Sequence, residues 1–401
     1  MRVLVGITGW SLVARALVGC GGGDVAPVDA AADLGVTDAA RDAGPDAGDG
    51  AADASTPADL GSEEDVLVRF TPDASSPREA ITAPADTWTW VPFPDSACGN
   101  GAPTGIGVNL HPGSHRLLIF MQGGGGCWDA LTCYGARTAA NLASGYGASD
   151  FASESAGLSS LMFYDRSAAR NPWRDANLVY VPYCTGDIHG GDRIVEYVWA
   201  GQHHVTFHVG ARNLDAFLAR LTLTFPSVDR VTLSGASAGG FGAGLNWERV
   251  ANAFPRARVD LIDDSGPPIR PPDARWLAIR DGWNLQFPAG CAGCRDNLEE
   301  LFTYYGTRFP PPARLALLSY TNDPTISTYF GITTDQFRTE LLDVAHRRID
   351  PIANAHVFVA EGTSHVLLTG LATLRGPGGV ALLDWLTQMD SDDAAWTSVR
   401  P

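Results

Sequence analysis

The chain is short of positive charge: 28 Lys and Arg stand against 45 Asp and Glu among 401 residues, a net charge of −17. Nucleic-acid phosphates would repel such a surface, so polynucleotide partners are excluded. No apolar run is long enough to cross a bilayer, the longest at the start being residues 3–14. Aspartates are plentiful, yet no Asp-x-Asp-x-Asp-Gly loop is present to hold calcium. Cys291-Ala-Gly-Cys294 has no second Cys-x-x-Cys and no His-x-x-x-His to complete a zinc site. The glycines 123–126 are followed by Cys127 and Trp128, not by the Lys and Ser/Thr that a phosphate-cradling loop needs. No internal repeat is visible. The sequence therefore calls for no metal and no cofactor.

Residues 3–14 follow Arg2 as a signal-peptide core would, and they lead to Leu17-Val18-Gly19-Cys20. That tetrapeptide resembles the lipobox of bacterial lipoproteins. The resemblance implies a signal peptide over 1–19, cleavage before Cys20 and a lipid anchor there, in a bacterial cell envelope. The other reading is a secreted protein with an incidental cysteine. Residues 20–62 are mostly Ala, Asp, Gly, Pro and Ser. Twelve acids between 21 and 65 face Arg41 alone. Such a segment buries too little surface to offset ordering entropy, so a disordered, self-repelling linker is expected. Residues 63–401 are then the folded domain, with order starting near Val66.

In that domain, Thr87–Phe93 alternates like an edge strand, and Gly105–Leu110 reads as a further strand. Arg116–Gln122 and Asn177–Pro182 are continuous apolar runs, as in strands covered on both faces. Ala211–Leu223 reads as a helix. Strands follow at Val231–Leu233, Arg258–Ile262, Arg314–Ser319 and His356–Ala360, and a closing helix at Gly379–Met389. Alternating strands and helices predict an α/β fold of hydrolase type, a mostly parallel sheet with helices on both faces.

Between the strand at 231–233 and a helix from about Gly240 to Phe254 lies Gly235-Ala236-Ser237-Ala238-Gly239, the Gly-x-Ser-x-Gly pattern of a nucleophile elbow. A serine needs a base in reach and an acid to orient that base. Downstream histidines are His346, His356 and His365. Only His365 follows a strand by a short loop, as the base should. His346 sits in an Arg-flanked, solvated-looking stretch and His356 within a strand. For the acid, Asp323 after the 314–319 strand is preferred over Asp264, which follows the strand next to the elbow helix. The Ala238 N–H and the glycine run 123–126 supply the oxyanion donors. Cys98, Cys127, Cys133, Cys184, Cys291 and Cys294 form an even set behind an export signal. Spacing favours the pairs 127–133 and 291–294, leaving 98–184.

Four motifs in order, Gln122-Gly-Gly-Gly-Gly-Cys-Trp-Asp129, Val181-Pro-Tyr-Cys-Thr-Gly-Asp187, Gly235-Ala-Ser-Ala-Gly-Gly240 and Asp264-Ser-Gly266, resemble the pectin acetylesterase family, which includes Notum carboxylesterase-like hydrolases. The resemblance implies a cofactor-free α/β-hydrolase with Ser237, Asp323 and His365 as its triad. It places the oxyanion hole on Gly124, Gly125 and Ala238. Gly126 stands where relatives often carry an aromatic, and Gln122 replaces the usual glutamate. Trp128, Tyr183, Asp187 and His189 are candidates to line the pocket. The expected activity is that of a serine carboxylesterase removing acetyl or other short acyl groups from a carbohydrate, acting as a monomer. A longer-chain lipase or protein deacylase of Notum type, or a non-catalytic glycan-binding protein, are the alternatives.

Overall fold

The computed structural model describes residues 79–401. The signal-peptide, Cys20 lipidation and linker expectations lie outside the described residues. So does the start of order expected near Val66.

Eight strands make one sheet: β1 (Thr89–Phe93), β2 (Thr104–Asn109), β3 (Arg116–Met121), β4 (Asn177–Val181), β7 (Arg230–Ala236), β8 (Arg258–Asp264), β9 (Leu315–Tyr320) and β10 (Ala355–Ala360). Their spatial order is β1-β2-β4-β3-β7-β8-β9-β10. β1 and β2 run antiparallel, as do β2 and β4, and every pairing from β4 onward is parallel. The expected mostly parallel α/β sheet is what the chain forms.

The runs at β3, β4 and β7 to β10 are apolar on both faces because both faces are covered. Leu117, Ile119 and Met121 enter one core, while Leu118 and Phe120 enter the other. β9 divides the same way, with Leu315 and Leu317 on one side and Ala316 and Leu318 on the other. The first core takes α2 (Gly210–Thr224) through Phe217 and Leu221, and α3 (Ala238–Ala253) through Trp247 and Val250. It also takes α4 (Asp273–Gly282), α5 (Glu300–Arg308), α6 (Pro324–Phe330) and α7 (Thr334–Val344). The second core takes α1 (Ala148–Leu158) and α8 (Leu382–Asp390), the latter through Trp385, Leu386 and Met389.

Two features were not anticipated. β5 (Arg193–Trp199) and β6 (Gln202–His208) pair as a separate antiparallel hairpin through Ala200 and Gly201, both at positive φ, 49° and 77°. That is the two-residue turn whose twist suits adjoining strands. Along the outer edge of β10, Val359 N donates to Val399 O (2.7 Å) and Val399 N to Val357 O (2.8 Å). Three disulfides join Cys98 to Cys184, Cys127 to Cys133 and Cys291 to Cys294. Disulfides persist where the surroundings are oxidising, which fits an exported protein. Among the described residues no helix is long and apolar enough to cross a membrane.

Candidate active site

The carboxyl ends of β3, β7, β8, β9 and β10 lie side by side, where ligands collect in open α/β sheets. β7 ends in the predicted elbow. Ser237 has φ 59° and ψ −122°, and its backbone caps α3. A non-glycine residue at positive φ is strained, at a cost of order 1–3 kcal/mol. The turn closes tightly: a Cβ on Gly235 would collide with the carbonyl of Gly239, and one on Gly239 with that of Met121. Only glycine at both positions lets the serine backbone stand between β3 and α3.

His365 and Asp323 meet. His365 Nδ1 lies 2.6 Å from Asp323 Oδ2, and since a carboxylate only accepts, Nδ1 carries the proton. Asp323 is fully buried and its other oxygen is also used. Oδ1 accepts from Thr325 N (2.9 Å) and Ile326 N (3.1 Å), capping α6. One carboxylate therefore fixes the imidazole and starts a helix. His365 Nε2 is buried without a hydrogen-bond partner. Next to it Val366 is held at φ 65°, a marked strain for a β-branched residue.

Asp264, the alternative acid, does not touch the imidazole. Its carboxylate accepts from Leu367 N (2.9 and 3.0 Å) and Leu368 N (2.8 Å). The other two histidines lie apart: His346 is on the surface beside Asp350 (3.4 Å), and His356 sits in β10 against the Trp396 ring.

The glycine run leaves β3 toward Ser237. Gly125 has φ 75°, and a Cβ there would overlap the Tyr329 hydroxyl and the Thr138 carbonyl. The Tyr329 hydroxyl donates to that Thr138 carbonyl, bridging α6 to the glycine loop. Trp283 Nε1 donates to the Cys127 carbonyl (2.5 Å), and the indole ring lies 3.2 Å from where a Gly126 side chain would begin. The aromatic at the C-terminal end of α4 thus packs beside the small residue at 126.

Ser237, Ala238, Gly125 and Gly126 open onto a cleft. Its walls are almost wholly apolar. Trp128, Trp276, Ile279 and Trp283 form one side, with Leu298, Phe241, Ile326 and Phe330 completing it. Arg275 stacks over the Trp128 ring at 4.8 Å. Sequence reasoning named Trp128 and, among aromatics that could wall an acyl or sugar site, Trp283; it missed Trp276, Ile279, Leu298 and the residues of α6. Trp276 and the Tyr329-Phe330 pair were the visible signal for the missed ones.

Three expected pocket residues lie elsewhere. Tyr183 is fully buried behind the glycine loop, where its hydroxyl donates to Gly125 O (2.9 Å) and accepts from Ile188 N (2.8 Å). Asp187 is fully buried and accepts from Thr185 Oγ1 (2.6 Å), His189 N (3.1 Å) and Gly210 N (2.7 Å). Burial pushes its carboxyl up to about 6. Both brace the surrounding loops, their polar atoms taken by backbone groups and, for Asp187, also by the Thr185 hydroxyl. His189 is likewise buried, its Nε2 2.8 Å from Gln122 O, and burial lowers it to about 4.

A family model described as pectinacetylesterase matches residues 92–275. The chain is 29% identical over 246 residues to the palmitoleoyl-protein carboxylesterase NOTUM of Homo sapiens, covering 54% of this chain and 46% of that protein. It is 34% identical over 179 residues to that of Schmidtea mediterranea, covering 44% and 30%. With that of Drosophila melanogaster it shares 27% over 241 residues, 56% and 35%. The chain spans less than half the length of these relatives. The resemblance to the pectin acetylesterase and Notum-like family, seen in the four motifs, is borne out.

Proposed function

We propose, for a chain resembling the pectin acetylesterase and Notum-like hydrolases, that it is a serine carboxylesterase whose acyl group enters the apolar cleft. The observation that supports this best is the 2.6 Å pair of His365 Nδ1 and Asp323 Oδ2, with the opposite imidazole nitrogen buried and unpaired. That nitrogen is the one a general base must present, and Ser237 is the hydroxyl exposed to the cleft from the strained turn.

In the proposed reaction, Ser237 Oγ attacks the ester carbonyl while His365 Nε2 takes its proton. The Ala238 N–H and the N–H groups of Gly124 and Gly125 receive the oxyanion, each donor being worth about 10²–10³ in rate. His365 returns the proton to the departing alcohol, leaving an acyl-serine. Water then attacks with the roles repeated, which releases the acid and restores the serine hydroxyl. Asp323 holds the imidazole in the competent tautomer and stabilises it when charged.

The acyl group is proposed to be longer than the acetyl expected from sequence. An acetyl ester needs a shallow site with polar groups for the sugar, whereas this cleft offers indole, phenyl and aliphatic walls. The three relatives, whose names specify a palmitoleoyl-protein substrate, support the same direction.

The test is a series of p-nitrophenyl esters from acetate to palmitate. Each methylene entering the cleft adds about 0.8 kcal/mol, roughly fourfold in kcat/KM. The expected series climbs to octanoate or beyond and then levels. A maximum at acetate would return the substrate to a short-acyl ester. Undiminished hydrolysis by Ser237→Ala would refute the serine mechanism itself.

A further inference from the structure

Three consecutive backbone N–H groups follow His365 in the chain, and one dipeptide receives all three. Val366 N donates to Ser265 Oγ at 3.1 Å. Leu367 N donates to both carboxylate oxygens of Asp264, and Leu368 N to Asp264 Oδ2 at 2.8 Å. The same dipeptide reaches the nucleophile from its other side, because Ser237 N donates to Asp264 O at 2.7 Å. Ser265 Oγ donates to Asp264 Oδ1 (3.0 Å), and Ser265 N donates to Leu318 O in β9 (2.8 Å). Both residues are fully buried.

We propose that Asp264 and Ser265 are positioning residues that lock the Ser237 turn and the His365 loop into one register. This rests on the serine-esterase mechanism above. The two loops belong to strands separated by two others in the sheet, so no direct ladder aligns them. Val366 at φ 65° is a conformation that the loop does not favour unaided, and the Ser265 hydroxyl holds its N–H. A carboxylate suits this place because it accepts on both oxygens and donates nothing. An amide there would turn an N–H toward donors.

The groups facing Asp264 are His365 across the gap, Tyr320 at the end of β9, and Asp263 beside it on β8. Burial pushes Asp264 up to about 6 and raises Asp263 well above the usual carboxylate range. Above pH 6 Asp264 is an acceptor at both oxygens. As pH falls through 6 it gains a proton and loses acceptor capacity, so the register loosens.

The experiment uses the full chain with Asp264→Asn and Ser265→Ala, assayed on p-nitrophenyl octanoate, with active sites counted by a fluorophosphonate probe. For Asp264→Asn, kcat per labelled site is expected to fall about 10²-fold, the scale of a small misplacement of reacting groups, with KM within about twofold. Ser265→Ala should show a smaller loss in the same sense, and it decides the matter if Asp264→Asn does not fold. Wild-type kcat per site in the folded variants would overturn the proposal. So would a loss confined to melting temperature or to the fraction of labelled sites. Failure of the esterase mechanism would look different, since wild type would then take no label or Ser237→Ala would stay active.

Discussion

Asp323→Asn separates two duties that one carboxylate performs. In the wild type Oδ1 caps α6 through Thr325 N and Ile326 N, and Oδ2 receives His365 Nδ1–H. An asparagine has one acceptor and one donor end. Two backbone N–H groups compete with one imidazole N–H for the single oxygen, so the oxygen stays at the helix. The amide NH₂ then faces His365 Nδ1, which must lose its proton and become an acceptor. The proton moves to Nε2, and the base can no longer accept from Ser237. The same exchange in a serine-protease triad lowers kcat about 10⁴-fold with geometry intact, equivalent to about 5.4 kcal/mol in the barrier. The expected result is therefore a 10⁴-fold fall in kcat on p-nitrophenyl octanoate, with KM and melting temperature close to wild type. Asp323→Ala should add the loss of the helix cap, about 1 kcal/mol, or a melting shift of about 2 °C in a domain of this size. Because α6 carries Ile326, Tyr329 and Phe330 into the cleft, its KM should rise as well. An Asp323→Asn enzyme within tenfold of wild-type kcat would refute the tautomer argument.

Gly125→Ala is expected to cut kcat about 10²–10³-fold, since its Cβ would collide with Tyr329 and Thr138 and displace an oxyanion donor; steady-state kinetics on a folded variant reads this directly. His208 concerns stability. It is buried, its Nδ1 2.7 Å from Thr185 O, and burial lowers it from 6.5 to about 4. A depressed imidazole contributes stability that is present above 6.5 and lost as pH falls toward 4, because the unfolded chain takes the proton first. Urea midpoints of wild type should therefore fall more steeply over that window than those of His208→Gln. Asp187 and Asp264, raised to about 6, act in the opposite sense in both proteins and drop out of the difference.

The sheet was legible because its central strands are covered on both faces, which leaves continuous apolar runs such as Leu117–Met121 and Leu315–Leu318. The hairpin β5–β6 was not read, although the segment 194–199 is rich in β-branched and aromatic residues. Its turn places Ala200, not Asn or Asp, at a positive φ, so the usual turn signal is missing. In the site, the spacing of strands singled out His365 and Asp323, which the structure brings together. Tyr183 and Asp187 were misplaced because a polar residue beside a motif looks the same in sequence whether it faces a ligand or a buried backbone amide. The remaining cleft walls were missed for a related reason. Trp276, Ile279 and Leu298 come from a connection between strands in which no periodicity separates a face toward a cavity from a face toward the core.

The Val399 contact on β10 bears on how the molecule behaves in company. A parallel sheet that ends in Val357, Phe358 and Val359 presents a row of unpaired amides along an apolar strand, a template on which a second chain could extend the sheet. The backbone of Val399 takes the Val359 N–H and the Val357 carbonyl, leaving that row without its central docking points. Two hydrogen bonds to one residue thus occupy the part of the edge on which a second strand would otherwise add.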